Sequence, residues 1–194
     1  MAAVLGLDDE LVEAACERSD HDVFVANFNA PGQVIIAGTA EGVADTSQIA
    51  ASLGSKRVLP VKAGGAFHTP LMASAGERLH KALHEVDFAE PNQPIVANVD
   101  AKVHSGQSDL RELLERQLTS PVRWKQSLNA IEAAGVSTLI ELGPGRVLCG
   151  MAKRSCRAVS TASVAKPDDL DRLGEELARS GTESPSGDRL GSTR

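Results

Sequence analysis

Tyrosine is absent from this chain of 194 residues, and all aromatic residues together make up only 3% of it. Single-stranded nucleic acid is held on aromatic platforms, so this composition argues against that class of binding surface. Cationic residues are in deficit too, with 20 Lys and Arg against 26 Asp and Glu and a formal net charge of −6. No basic excess exists to neutralise phosphates, which argues against nucleic acid and against an anionic membrane as partners. The three cysteines, Cys16, Cys149 and Cys156, fall in no C-x-x-C or Cys/His ligand pattern. They are expected to be reduced thiols of a cytoplasmic protein. The apolar start, residues 1–7, has no basic flank and is broken by Asp8-Asp9. It reads as a core strand, not as a signal peptide or a membrane span, and a chain that opens on a core strand is expected to have lost what preceded it. There is no internal repeat. The last absence weighs most for function: no G-x-S-x-G occurs, and no cysteine follows a strand and a glycine elbow. The chain has no recognisable nucleophile.

What is present is ordinary globular composition, 42% hydrophobic with 17 Gly and 9 Pro, enough for one full core or for one small and one partial core. Residues 2–7 read as a strand and 8–18 as a helix with Leu11, Val12, Ala15 and Cys16 on one face. Two β-rich runs, 23–27 and 33–37, are joined by Phe28-Asn29-Ala30-Pro31-Gly32, whose Pro-Gly pair predicts a hairpin. Thr39 caps a helix over 40–53, and a strand follows at 56–61. The order β-α-β-β-α-β is the split βαβ, ferredoxin-like pattern. Beyond it the spacing predicts a helix over 71–86, a buried strand over 95–99, helices over 110–118 and 124–134, and an apolar strand over 138–142. A weak strand over 159–164 and a helix over 168–178 follow. Helices between short apolar strands point to part of a parallel α/β sheet. The stretch 180–194 is Gly, Ser, Thr and charge with almost no apolar residue, and is expected to be a disordered tail.

His68 stands at the junction of these two regions. It lies in Ala63-Gly64-Gly65-Ala66-Phe67-His68-Thr69-Pro70-Leu71-Met72, where a strand ends, glycines let the backbone turn, and a helix starts with Thr69 as N-cap and Pro70 at its first position. A histidine so placed can be aimed into a cleft, and imidazole suits the acceptance and return of a proton during acyl transfer. Asn27 and Asn29 flank the hairpin turn. Turn chemistry accounts for them, and the functional alternative is that their amides face the same cleft as His68. Gly143-Pro144-Gly145-Arg146-Val147-Leu148-Cys149-Gly150 follows a strand and opens a helix, but fits neither dinucleotide nor P-loop spacing. It reads as a tight crossover turn. His80 and His84, four apart on one helix, could share a metal, yet no third ligand stands in a recognisable pattern; a solvated face is the reading.

Five motifs in register carry a family resemblance: Asn27-Phe28-Asn29-Ala30-Pro31-Gly32-Gln33-Val34-Ile35-Ile36-Ala37-Gly38; Gly65-Ala66-Phe67-His68-Thr69-Pro70-Leu71-Met72; Asn98-Val99-Asp100; Arg116-Gln117-Leu118 with Pro121-Val122-Arg123-Trp124; and Glu141-Leu142-Gly143-Pro144-Gly145-Arg146-Val147-Leu148. Over residues 1–154 the chain resembles the bacterial malonyl-CoA:acyl-carrier-protein transacylases. The resemblance implies covalent ping-pong chemistry, in which a serine in a G-H-S-x-G elbow takes malonyl from coenzyme A and passes it to the phosphopantetheine thiol of acyl carrier protein. It makes His68 the catalytic histidine, and Gln117 the residue whose backbone carbonyl holds the other ring nitrogen in place of a carboxylate. Asn29 would be an active-site asparagine on the small subdomain covering the cleft. Phe67 would restrict the acyl pocket to malonyl over methylmalonyl.

The resemblance covers only the family's carboxyl-terminal portion. Its serine elbow, the arginine for the malonyl carboxylate and the oxyanion-hole glutamine have no match here. The expected class is therefore α/β: a ferredoxin-like subdomain at 1–62, the carboxyl-terminal part of an α/β-hydrolase-like acyltransferase domain at 63–179, and the tail at 180–194. No metal or organic cofactor is implied. Malonyl-CoA and acyl carrier protein are the implied partners, with a missing amino-terminal half as a third. The alternatives are a non-catalytic fragment or carrier-protein-binding module, and a fragment of a polyketide synthase acyltransferase domain. A G-H-S-x-G frame just upstream would favour a split or truncated enzyme over a stand-alone module.

Overall fold

Alternation of apolar residues builds the first sheet. Strands β1 (Ala2–Leu5), β2 (Val23–Ala30), β3 (Gln33–Gly38) and β4 (Arg57–Pro60) pair in the order β2-β3-β1-β4, every pair antiparallel. The computed structural model describes residues 1–105 and 108–181. Helices α1 (Asp9–Glu17) and α2 (Ala40–Ser52) bury Val12, Ala15 and Ala50 against Val4, Val34 and Ile36. Asp9 and Glu10 occupy the first turn of α1, where the helix dipole favours negative charge. Thr39 caps α2 as the sequence predicts, its hydroxyl accepting the Gly42 N–H at 3.0 Å. The opposite face of the sheet carries a smaller cluster, Ala26, Ile35 and Ala37, against which Met1, Ala3, Val61 and Ala66 pack.

Two expectations need correction in this region. β1 stops at Leu5 instead of running to residue 7, because Gly6 takes φ +77° and donates its N–H to the Gly32 carbonyl. The hairpin is also tighter than expected. β2 continues through Ala30, so Asn27 and Asn29 lie within a strand and only Pro31-Gly32 turns. The register shifts between Val25 and Asn27 and again between Phe28 and Ala30. These are β-bulges, which leave Ala26 and Asn29 without a cross-strand partner and bend the strand.

The second region begins with a 3₁₀ turn, Pro70–Met72, and then α3 (Ala73–His84). The buried strand expected over 95–99 is only β5 (Ile95–Ala97) and is not buried, with Ile95 exposed and its two neighbours half-buried; it pairs antiparallel with β6 (Lys102–His104), which the sequence did not predict. Four residues join the two, a length that permits only antiparallel pairing; Ala101 closes the turn at φ +58°. Besides an isolated parallel bridge between Asn27 and Val122, parallel pairing among the described residues occurs between the strands β7 (Thr138–Leu142) and β8 (Ser160–Val164). Helices α4 (Ser108–Gln117) and α5 (Trp124–Ala133) precede that pair, α6 (Val147–Ser155) connects it, and α7 (Asp168–Gly181) follows. α7 thus runs past the expected tail boundary at residue 180; the rest of that tail, 182–194, lies outside the described residues. Leu128, Ala152, Cys156 and Val159 form the second core.

The regions interlock along the outer edge of β2. Phe28 donates its N–H to the Val122 carbonyl and Val122 its own to Ala26, both at 2.8 Å, so the 121–123 segment acts as a further strand. Lys125 on α5 pairs with Asp9 on α1, and Arg154 on α6 bonds Gln33 on β3.

Gly38 tests this packing. A Cβ there would overlap the Asp22 carbonyl oxygen and come within 2.6 Å of the Val23 Cα, backbone atoms that cannot yield, whereas one at Gly150 in α6 would meet nothing within 4 Å. Gly38→Ala is expected to lower stability by about 1–3 kcal/mol and Gly150→Ala to raise it by up to about 1 kcal/mol, read from urea midpoints. Equal midpoints would contradict the packing described.

Candidate active site

The chain leaves β4 through Lys62-Ala63-Gly64-Gly65, and Ala66 anchors it on the face of the first sheet that carries no helix. Thr69 is fully buried and donates its hydroxyl to the Ala66 carbonyl at 2.6 Å instead of capping the following turn. That clamp spans His68, which takes φ +66°. Left-handed backbone costs a non-glycine residue about 1–2 kcal/mol. Two hydrogen bonds offset it, at about 0.5–1.5 kcal/mol each: the His68 amide donates to the Leu118 carbonyl at 3.0 Å, and Nδ1–H to the Gln117 carbonyl at 2.8 Å. A carbonyl can only accept, so the neutral ring carries its proton on Nδ1 and holds a lone pair on Nε2.

Gln117 is the last residue of α4, and its carbonyl is one that the helix leaves unpaired. Its side chain adds a contribution that the sequence did not indicate. Nε2 donates to the Ser120 carbonyl at 3.0 Å, with Pro121 O at 3.5 Å, which ties the helix end to the segment that pairs with β2. His68 and Gln117 are therefore brought together as expected, with the backbone of one and the ring of the other in contact.

Half-buried, His68 lines a cleft of about 530 Å³ together with Pro70, Thr119, Pro121 and Arg123 on one side and Phe28, Val25 and Cys16 on the other. Asn29 and Phe67 do not line it. Asn29 is a half-buried bulge residue beside Phe28; Phe67 is 40% exposed, with its ring against Gly65. Arg123, part of the Pro121-Val122-Arg123-Trp124 motif, places its guanidinium 5.8 Å from the Phe28 ring centre and brings a cation to the cleft. Its position follows from the pairing of Val122 with β2, a contact between distant segments with no local signal.

No thiol supplies the missing nucleophile. Burial, then the charges of Glu13 and Glu17, push Cys16 up to about 12, so the thiolate is scarce at neutral pH. Burial raises Cys149 and Cys156 as well. All three are free thiols, as the sequence predicts. The turn after β7 is no phosphate cradle either. Glu141 accepts the Cys149 N–H at 2.8 Å and the Leu148 N–H at 3.2 Å, so a carboxylate from the same chain already fills the start of α6. Those amides, Cys149 first, hold its carboxyl below the usual range.

Long-range ¹H–¹⁵N spectra of the neutral form are expected to give His68 Nε2 the pyridine-like shift and Nδ1 the protonated one; the reverse pattern would break the Gln117 assignment. Cys16 is expected to alkylate with iodoacetamide at pH 7.5 at least about tenfold more slowly than free cysteine, as followed by peptide mapping. A rate equal to or above that of free cysteine would overturn the burial argument.

Residues 1–169 match the acyl transferase domain. The chain is 40% identical over 174 residues to the malonyl CoA-acyl carrier protein transacylase of Bacillus subtilis, covering 88% of this chain and 55% of that protein. It also resembles the crystal structure of an acyl-carrier-protein S-malonyltransferase from Burkholderia pseudomallei, with a TM-score of 0.86 and 41% identity over 90% of this chain and 57% of that one. A malonyl-transacylase solved in complex with a type II PKS acyl-carrier protein gives a TM-score of 0.86 at 37% identity, over 90% and 57%. The chain spans little more than half the length of these relatives, and the α/β fold is common to all of them. The chain belongs to the acyl transferase domain family.

Proposed function

We propose that this chain is the histidine-bearing portion of a malonyl-CoA:acyl-carrier-protein transacylase of fatty acid synthesis. The observation that carries the reading is the 2.8 Å bond from His68 Nδ1 to the Gln117 carbonyl, which leaves Nε2 as a base at the cleft. In the complete enzyme Nε2 takes the proton of a serine hydroxyl supplied by a segment that this chain lacks. The serine oxygen attacks the thioester carbonyl of malonyl-CoA, and the departing coenzyme A thiolate receives that proton from the imidazolium. The second half reverses the roles. Nε2 takes the proton of the phosphopantetheine thiol of acyl carrier protein, the thiolate attacks the malonyl-serine ester, and the serine recovers its proton. Coenzyme A and carrier protein are substrates; no metal or organic cofactor enters these steps.

The finer architecture belongs to the same reading. The first unit, 1–62, is ferredoxin-like, supported by four antiparallel strands in the order β4-β1-β3-β2 with both helices on one face. Residues 63–179 are the end of an α/β-hydrolase-like domain, supported by the parallel β7–α6–β8 unit. Asn29 and Phe67 contribute once the missing portion closes the cleft, Asn29 from the bulged strand above it and Phe67 against the acyl group. Free thiols throughout fit a cytoplasmic protein.

Intact mass after incubation with malonyl-CoA is the direct test. The isolated chain is expected to gain no malonyl adduct. Supplied with an acyltransferase portion that carries the serine elbow, it is expected to support transfer to acyl carrier protein, and His68→Ala to slow that transfer by about 10²–10⁴-fold. A malonyl adduct on this chain alone would overturn the account of the serine. Transfer unaffected by His68→Ala would leave a binding module in place of a catalytic portion.

A further inference from the structure

His80 and His84 stand four residues apart on α3, and the sequence offers no third ligand beside them. The structure brings one from the facing helix. Glu115 of α4 places Oε2 2.9 Å from His80 Nδ1 and Oε1 3.4 Å from His84 Nδ1. The two imidazole centres are 4.1 Å apart, and one ligand atom from each of the three residues lies within 4.8 Å of the others.

The cluster is poorly explained as a set of ion pairs. His84 gives its Nδ1 proton to the His80 carbonyl at 2.9 Å, so it has none left for Glu115 at that nitrogen. Glu115 Oε1 is sealed from solvent with no hydrogen-bond partner. The neighbouring arginines are committed elsewhere, Arg111 to the carbonyls of Leu83 and Val86 and Arg116 to Glu112. A ring whose Nδ1–H is fixed by a backbone carbonyl presents Nε2, which is how metal-bound histidines are commonly oriented. A single divalent ion would satisfy the orphaned carboxylate oxygen and both rings.

We propose that α3 and α4 form a binding site for one zinc-class divalent cation, with His80, His84 and Glu115 as ligands and water completing a four-coordinate shell. Two imidazoles and one carboxylate suit zinc, whose tetrahedral ligands at about 2.0–2.1 Å lie about 3.3–3.4 Å apart. Ligation requires the two exposed rings to change rotamer, closing the separation to that value and turning His84 Nε2, in place of Nδ1, towards Glu115. The ion would also join the two elements on either side of the catalytic bond: α3 continues from the loop that holds His68, and Glu115 lies two residues before Gln117. The site itself is independent of the transacylase reading.

Zn²⁺ titrated calorimetrically into the full chain, stripped with chelator, is the test. One ion per chain is expected, and Co²⁺ is expected to give the visible absorption of a four-coordinate site. His80→Ala, His84→Ala and Glu115→Gln are each expected to weaken Zn²⁺ binding at least about tenfold, with unchanged circular dichroism, and His68→Ala to leave it unaltered. Should one of the three fail to fold, the wild-type chain still decides through the Co²⁺ spectrum and a melting temperature that rises with Zn²⁺. No binding by the wild type, or binding that all three substitutions leave untouched, would overturn the proposal.

Discussion

The bond from His68 to the last carbonyl of α4 is the constraint on which the site depends, and it explains features that look unrelated. A histidine aimed by a carboxylate would bring a second charge into a half-buried loop, with desolvation to be repaid. A helix-terminal carbonyl fixes the same tautomer while remaining neutral. That solution requires α4 to end at one residue and the loop to present the ring at one angle. Both requirements are visible: the left-handed backbone at His68 turns the ring towards the helix end, and the buried Thr69 hydroxyl holds the loop in that shape.

The same bond makes the two regions mechanically dependent. Gln117 is held by its own side chain to the Ser120 and Pro121 carbonyls, and the next residue, Val122, is stitched into the edge of β2. The edge strand of the first sheet is therefore part of the scaffold for a histidine that lies in the second region. Bulges at Ala26 and Asn29 bend β2 beside that junction. Bulges of this kind re-aim side chains next to active sites, and here they let β2 pair with β3 on one side and with the 121–123 segment on the other.

Local chemistry was legible in the sequence, and long-range pairing was not. Thr39 as a cap, Pro31-Gly32 as a turn and the amphipathic face of α1 could be read because each acts within a few residues. The site was partly legible: the pairing of His68 with Gln117 came from resemblance, since 49 residues separate them and no periodicity links the two. β6 was missed because Lys102-Val103-His104 is short and polar and becomes a strand only through its partner. Asn29 falls in the expected turn segment 28–32, since Asn beside Pro-Gly ordinarily signals a turn, and Asn27 at the end of the expected strand; β2 instead continues to Ala30, with Phe28 and Ala26 paired to Val122. Arg123 and Glu115 acquire meaning only from what folds against them.

The exposed face of the β7–α6–β8 unit bears on how the proposed remainder of the enzyme must be joined. Purely parallel sheets occur with both faces covered, yet here β7 leaves Leu142 76% exposed and Ile140 partly open, and the start of α6 leaves Val147 64% exposed with Leu148 beside it. Because these side chains are already partly buried, covering what remains would contribute roughly 3–7 kcal/mol in all. Association in trans forfeits an estimated 4–15 kcal/mol of translational and rotational freedom, which consumes most or all of it. A covalently continuous partner forfeits far less. Under the proposed reading, complementation by a separately supplied portion would therefore depend on concentration.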